Sequence, residues 1–459
     1  MKYISTRGGG EPQTFEQVLL TGLAPDGGLY VPMTWPQLDL VSLKGKSYTE
    51  IAFAVMYPYV EGSIPENEFR AILEKTYANF RHEKVVPLHK LKDNLYTLEL
   101  FHGPTIAFKD VALQLLGQLF DYVLTRRDEQ ITIVGATSGD TGSAAIEGCY
   151  HSDRTNIFIL FPNGRVSDVQ RKQMTTVDAP NVHCLAVEGT FDDCQSAVKE
   201  MFNDAQFRNE MNLSAVNSIN WARIMAQIVY YVTTAIELDG QDITFVVPTG
   251  NFGNVYAAHC ARQMGVPIKK LVIATNKNDI LTRFFETGEM KMGGVDPTIS
   301  PSMDIQISSN FERYLFDILG RDSEDLTSLM NQFKTTGHFV VPDETLQKAL
   351  KGFRAGRAND EETLATIKQI HADHDYTLDP HTAVGMKVAL ERAAEEEGAI
   401  ISLACAHPAK FPDAVEKAIG SHPKLPEHLA DLFEREEKLD ILPNDLEKIQ
   451  TFIKEKSNV

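Results

Sequence analysis

From residue 95 onward, apolar residues fall into short runs rich in valine and isoleucine, separated by longer stretches of helical period. Seven runs read as strands: "LYTLEL" from Leu95, "ITIVGA" from Ile131, "NIFILF" from Asn156, "VHCLAV" from Val182, "ITFVVP" from Ile243, "LVIAT" from Leu271 and "AIISLAC" from Ala399. Continuous apolar runs alternating with helices predict βαβ units and a mostly parallel sheet covered on both faces. Before residue 95 the pattern is mainly helical, with a Gly/Pro-rich opening around "GLAPDGGLYVP". From about Pro412 it is charged and helix-like in "LADLFEREEKLDIL" and "DLEKIQTFIKEK", which suits a surface cover. The expected units are a helical segment 1–93, two α/β segments 94–230 and 231–410, and a helical tail 411–459.

Two of these segments echo each other. "ITIVGATSGDTGSAAIEG" and "ITFVVPTGNFGNVYAAHCARQMG" each run from strand through a Gly-rich loop into an Ala-rich helix, and each reaches another strand about 25 residues on. That length fits a βαβ crossover. Ligands bind open α/β sheets at the carboxyl ends of strands, so two such loops predict two anionic groups.

Composition narrows the function. Of 459 residues, 44 are Lys or Arg and 63 Asp or Glu, a formal net charge of −19. Nucleic-acid binding needs a basic footprint, and no basic block is present, so no nucleic-acid partner is expected. No apolar run approaches membrane-spanning length, and "MKYISTRGGGEPQ" lacks the apolar region of a secretory signal. The five cysteines are scattered, with no CxxC pair. A reducing, cytoplasmic setting without a disulfide framework or structural zinc follows.

The candidate chemistry sits in four places. "GPTIAFKDVALQLLG" sets Lys109 after the tight turn Gly103-Pro104-Thr105, at the mouth of a helical run; the plainer reading is a solvated charge at a helix entrance. Gly250-Asn251-Phe252-Gly253-Asn254 joins strand to helix, where glycines and free N–H groups accept phosphate, or where the chain merely turns. It is neither a Walker A motif nor GxGxxG, which disfavours a nucleotide. Thr137-Ser138-Gly139-Asp140-Thr141-Gly142 is a second anion nest, with Asp140 either an N-cap or a partner to a cation. "NSINWAR" gathers Asn217, Ser218, Asn220 and Arg223, a set suited to a phosphate monoester, or else a helix entrance capped by Asn220 with Arg223 in solvent. His371 and His374 lie i, i+3 and fit a solvated helix end better than a metal site; His381, after Asp379-Pro380, reads as opening a helix. No metal is expected.

Taken together, "FHGPTIAFKDVA", "ATSGDTGSAA", "NSINWAR", "PTGNFGN", "ATNKND", "DPHTAVG" and "HPAKF", in this order, resemble the threonine synthase family of fold-type II enzymes dependent on pyridoxal 5′-phosphate (PLP). The likeness runs from "YISTRGG" to at least Phe411. It implies two open, twisted, mostly parallel sheets flanked by helices, like the tryptophan synthase β chain, with an additional helical N-terminal domain. It further implies that Lys109 binds PLP covalently, that Gly250, Asn251, Phe252, Gly253 and Asn254 cradle the cofactor phosphate, and that Phe108 packs near its ring. Asp140 would stand near the ring oxygen, where many relatives carry asparagine. Thr137, Ser138 and Thr141 would hold the substrate carboxylate, and Asn217, Ser218 and Arg223 its phosphate. Cys405 departs from the usual threonine facing the pyridine nitrogen, and a thiol is the weaker hydrogen-bond partner. The implied reaction is conversion of O-phospho-L-homoserine and water into L-threonine and phosphate by a monomer or homodimer. A dehydratase or phospholyase of the same fold, and a catalytically silent PLP-binding protein, are the alternatives.

Overall fold

A computed structural model describes residues 1–393 and 397–457. All seven expected strands form, and they divide between two sheets. The larger sheet runs Phe353–Arg357, Ile268–Thr275, Ile243–Pro248, Ala399–Ala404, Leu95–Glu99, Leu88–Lys92, parallel except for the last pair. The smaller runs Asp440–Pro443, Val182–Glu188, Thr155–Pro162, Ile131–Ala136, Leu213–Ser214 and is parallel throughout. Both echoing segments form the expected crossovers: Ile131–Ala136 pairs in parallel with Thr155–Pro162, and Ile243–Pro248 with Ile268–Thr275. Every residue of Thr155–Pro162 and of Ile243–Pro248 is buried, which is why these strands read as unbroken apolar runs rather than alternating ones.

Three features depart from the expectation. "LADLFEREEKLDIL" forms no α-helix: a 3-10 turn at Glu427–Leu429 is followed by further turns through residue 434, and the chain then leads into the strand Asp440–Pro443. Its charges are spent on docking instead, since Glu437 accepts hydrogen bonds from Arg171 and Thr175. The second tail stretch does form a helix, Leu446–Lys456. The mainly helical opening, with helices Phe15–Thr21, Tyr48–Val60 and Glu66–Tyr77, also carries the antiparallel pair Tyr3–Ser5 and Tyr30–Pro32 and the edge strand Leu88–Lys92. Three strands cross the expected boundaries: Leu88–Lys92 and Leu95–Glu99 join the sheet built mainly from residues beyond 231, and Asp440–Pro443 returns to the sheet of 94–230. Edge pairing was invisible locally, because short polar strands carry no apolar run of their own.

Two helices set the geometry of the site. Lys109–Arg127 and Asp140–Cys149 pack so closely that a Cβ on Gly117 would sit 1.8 Å from the Gly148 carbonyl oxygen. Only glycines allow that approach. It brings the first residues of the two helices, Lys109 and Asp140, within reach of each other.

Candidate active site

The turn before Lys109 is held from below. The Thr105 N–H and hydroxyl donate to the two Asp110 carboxylate oxygens at 2.9 and 2.7 Å. Asp110 is fully buried, and burial raises its pKa against the pull of Lys410 and these bonds. Ile106 takes a left-handed φ of 56°, and the chain then bridges to the end of strand Ala399–Ala404, with the Phe108 N–H donating to the Cys405 carbonyl at 2.7 Å. Lys109 therefore enters its helix with its backbone tied on both sides. The residue is 8% exposed, so it is not a solvated charge. Nζ lies 4.9 Å from the Phe108 ring centroid and donates to Asp140 Oδ2 at 3.2 Å.

Asp140 does not cap its helix, a place taken by Gly139. Its carboxylate faces cations: Oδ2 meets Lys109, while Oδ1 accepts from Gln170 Nε2 at 2.9 Å and lies 3.6 Å from Lys410 Nζ. Burial pushes the carboxyl upward, but the Lys109 and Lys410 charges win and hold it far below the usual carboxylate range. Lys410, from "HPAKF", is 0% exposed and also donates to the Thr105 carbonyl at 2.7 Å and to Ser143 Oγ at 3.3 Å. Burial lowers its pKa, opposed by Asp140 and Asp110. Asp140 thus bridges two buried lysine side chains, while Asp110 supplies a second buried carboxylate near Lys410.

The remaining loop residues divide. Thr141 lines the cavity in front of Lys109. Thr137 does not: its hydroxyl is consumed by the N–H groups of Gly139 and Gly142, both at 2.9 Å. Thr137 shapes the loop. Ser138 is half-buried beside it.

The second loop is built for an anion without any side-chain charge. Phe252 adopts a left-handed φ of 59°, and the helix Gly253–Gln263 starts immediately after it, leaving N–H groups of its first turn without intrahelical acceptors. The Phe252 ring points away from the cavity into an aromatic cluster, 5.1 Å from Phe311 and 5.6 Å from Tyr314. It contributes backbone only. Gly250 sits tightly, since a Cβ would meet the Ser302 carbonyl oxygen at 3.0 Å. Asn251 O accepts from the Asn310 N–H and side chain at 3.1 and 3.0 Å. Asn254 Oδ1 accepts from the Tyr230 and Tyr231 hydroxyls, leaving its buried Nδ2 without a partner. A buried donor left unpaired is costly, and it stands beside the free N–H groups.

"NSINWAR" separates in the same way. Asn220 caps the helix Trp221–Glu237 by accepting from the Ala222 N–H at 3.0 Å. Ser218 and Arg223 line the cavity, whereas Asn217 is exposed and does not. Arg223 is only 5% exposed; Nη1 donates to the Val216 carbonyl, Nε has no partner, and among the described residues no carboxylate pairs with it. Burial alone brings its pKa down to about 10. A buried, unpaired guanidinium is the strongest anion signal in the molecule.

Cys405 also lines the cavity, its N–H donating to Thr382 Oγ1 at 2.8 Å while its sulfur has only a 3.8 Å contact with the Leu403 carbonyl. Burial pushes the thiol well up, so it stays protonated. His381 opens the helix Pro380–Arg392, as its position implied, yet it also faces the cavity, as do Ser302, Gln227 and Thr249. His371 closes the helix Asp360–His374 and bonds Thr377. Sequence reasoning passed over Ser302 and Lys410: the first lies in an irregular loop, and the second in a motif read only for its likeness. A buried lysine would have been flagged only by asking what neutralises Asp140.

A free amine, a neutral anion cradle and a second anion site share one cavity. PLP presents an aldehyde to an amine and a phosphate to a cradle. The unpaired Asn254 Nδ2, the close approach at Gly250 and the Lys109 amine held by Asp140 fit such a group.

Comparison with known proteins agrees. Family profiles match at residues 2–77 (threonine synthase N terminus), 81–340 (pyridoxal-phosphate dependent enzyme) and 382–453 (threonine synthase, C-terminal). The threonine synthase of Pseudomonas aeruginosa is 52% identical, across all of this chain and 99% of that protein. The PLP-bound threonine synthase of Brucella melitensis superposes with a TM-score of 0.98 at 51% identity, covering both chains fully. The yeast threonine synthase gives 0.94 at 42% identity, covering 99% of this chain and 98% of that one. This chain belongs to the threonine synthase family of pyridoxal-phosphate-dependent enzymes.

Proposed function

We propose that the chain converts O-phospho-L-homoserine and water into L-threonine and phosphate. The observation that carries this reading is Arg223: a buried guanidinium with no carboxylate partner among the described residues, in the cavity that holds Lys109 and the Gly250–Asn254 loop. One anion site serves the cofactor; the other is left for a phosphorylated substrate.

Lys109 would bind the cofactor, Gly250 to Asn254 would hold its phosphate through backbone N–H groups and Asn254 Nδ2, and Phe108 and Cys405 would flank its ring. When bound, PLP supplies an electron sink for negative charge at the substrate's carbons. The rest is done by the chain. Lys109 Nζ, freed once substrate is bound, moves protons between the α- and β-carbons. Asp140 anchors that amine, and Lys410 keeps Asp140 ionised while Lys109 is otherwise engaged. The N–H groups of Asp140 and Thr141 at their helix start, with the Ser138 hydroxyl, bind the substrate carboxylate. Arg223 and Ser218 grip the phosphate, so that both ends of the substrate are fixed before any bond breaks. Thr137 supports the carboxylate loop from behind, and Asn217 reaches the substrate only by moving inward from its exposed position.

The enzyme is read as cytoplasmic and as a monomer or homodimer. No helix among the described residues is long and apolar enough to cross a membrane. As folding units we keep the segments 1–93, 94–230, 231–410 and 411–459, with strand Leu95–Glu99 of the second paired into the sheet of the third and strand Asp440–Pro443 of the tail paired into the sheet of the second; limited proteolysis tests those borders. The activity is tested by incubating holoenzyme with O-phospho-L-homoserine and measuring both products. Equal release of threonine and phosphate supports the proposal. Phosphate accompanied by 2-oxobutyrate and no threonine replaces it with an elimination-only enzyme.

A further inference from the structure

The cavity contains a hydroxyl to which none of the motifs above gives a role. Ser302 Oγ lies 3.0 Å from Asp140 Oδ2 and 3.5 Å from Lys109 Nζ. The ionised carboxylate accepts only, so Ser302 donates its single proton to Asp140 and turns its lone pairs toward Lys109.

That position is assembled from three distant parts of the chain. The Ser302 N–H donates to His381 Nε2 at 3.2 Å, and His381 Nδ1 meets Asp379 Oδ1 at 2.9 Å. Because a backbone N–H can only donate, His381 accepts at Nε2 and presents its Nδ1 proton to Asp379. The segment leading to Ser302 is fastened by "ATNKND": Asn276 Nδ2 donates to Thr298 Oγ1 and to Asp304 Oδ1, and Asn278 Nδ2 also donates to Asp304 Oδ1. Thr298 N–H closes the loop onto Asp304 Oδ2 at 2.9 Å. Two motifs far apart in the chain, "ATNKND" and "DPHTAVG", thereby converge on one serine.

We propose that Ser302 is a positioning residue for the Lys109 amine, with His381 and Asp379 holding it in place; this rests on the activity proposed above. A neutral amine has two N–H bonds and one lone pair. With one N–H on Asp140 and the other on Ser302, the remaining direction is the open cavity, where the substrate's α- and β-carbons must lie. Without Ser302 the amine keeps one anchor and rotates about it, so its basic lone pair no longer dwells on the reacting carbon.

The test uses holoenzyme carrying S302A, S302T or H381A, and the double variant S302A/H381A. Two quantities are followed: turnover, and exchange of the substrate's α-hydrogen with deuterium by NMR, which reports Lys109 proton transfer apart from product formation. S302A is expected to lower kcat and exchange together on the order of 100-fold, the scale of a misplaced reacting group. KM and the visible band of lysine-bound cofactor stay as in wild type. S302T, which keeps the hydroxyl, recovers most of the loss. H381A lowers both rates and adds little to S302A. Wild-type exchange rates in S302A overturn the proposal, and so does loss of the visible band in both S302A and S302T, which makes Ser302 a cofactor-retention residue. If wild type exchanges the α-hydrogen but forms no threonine, the activity reading fails while the comparison with S302A still judges Ser302.

Discussion

The two echoing strand–loop–helix units, Ile131 to Cys149 and Ile243 to Gln263, share a backbone plan but solve opposite electrostatic problems. The first begins its helix with a buried aspartate surrounded by two lysines and consumes its own threonine hydroxyl to stay folded. The second begins with a glycine, has no charged side chain in the loop, and leaves an amide nitrogen unpaired. A doubly charged phosphate is best met by fixed backbone dipoles that need no counter-ion. A reactive amine needs a carboxylate to anchor it and a second cation to keep that carboxylate ionised. The same architecture therefore serves as a cradle at one site and a charge relay at the other, according to a few side chains.

The comparison is broken most severely at the relay. Lys109→Ala is expected to abolish turnover and the visible band, while circular dichroism and thermal unfolding still report a folded protein; residual threonine formation would remove Lys109 from its role. Arg223→Ala tests the remaining anion site. Substrate capture should weaken by roughly 2–5 kcal/mol, the cost of truncating a buried partner of a charge pair, read as a raised KM with cofactor binding intact. An unchanged KM leaves the cavity with one anion site.

Glu147 probes the first unit from behind. It lies on the Asp140 helix, where burial, reinforced by Asp110, pushes its carboxyl up to about 7 from 4.5. The folded state holds that proton more tightly than the unfolded chain, so stability falls as pH rises from 4.5 to 7 and stays lowered above. Glu147→Gln should remove the penalty, adding up to about 2 kcal/mol above pH 7 and nothing below pH 4.5. Parallel denaturant curves at pH 5 and 8 measure the difference. Gly250→Ala probes the second unit with the smallest effect: the new Cβ crowds the Ser302 carbonyl at 3.0 Å, so cofactor affinity should fall by about 1 kcal/mol. A titration of apoenzyme with PLP, unaltered by the substitution, would show that the loop yields freely.

The strands of the two crossovers were legible because fully buried strands write themselves as unbroken apolar runs. The short edge strands Leu88–Lys92, Phe353–Arg357 and Asp440–Pro443 were not, since their partners, rather than their composition, make them strands. The turns before Asp440 were misread as helix because charged periodicity cannot announce a docking site on Arg171 and Thr175.

Taken alone, the order of residues determined the parallel α/β class, the two glycine loops and the lysine behind its turn, for these depend on local pattern and backbone freedom. Only the tertiary structure decided which groups meet. It turned the Phe252 ring outward, left Asn217 in solvent, buried Arg223 without a counter-ion, and carried Ser302, His381 and Lys410 to the Lys109–Asp140 pair from segments more than a hundred residues away. Charge balance and hydrogen-bond satisfaction are properties of neighbours in space, and no local pattern records them.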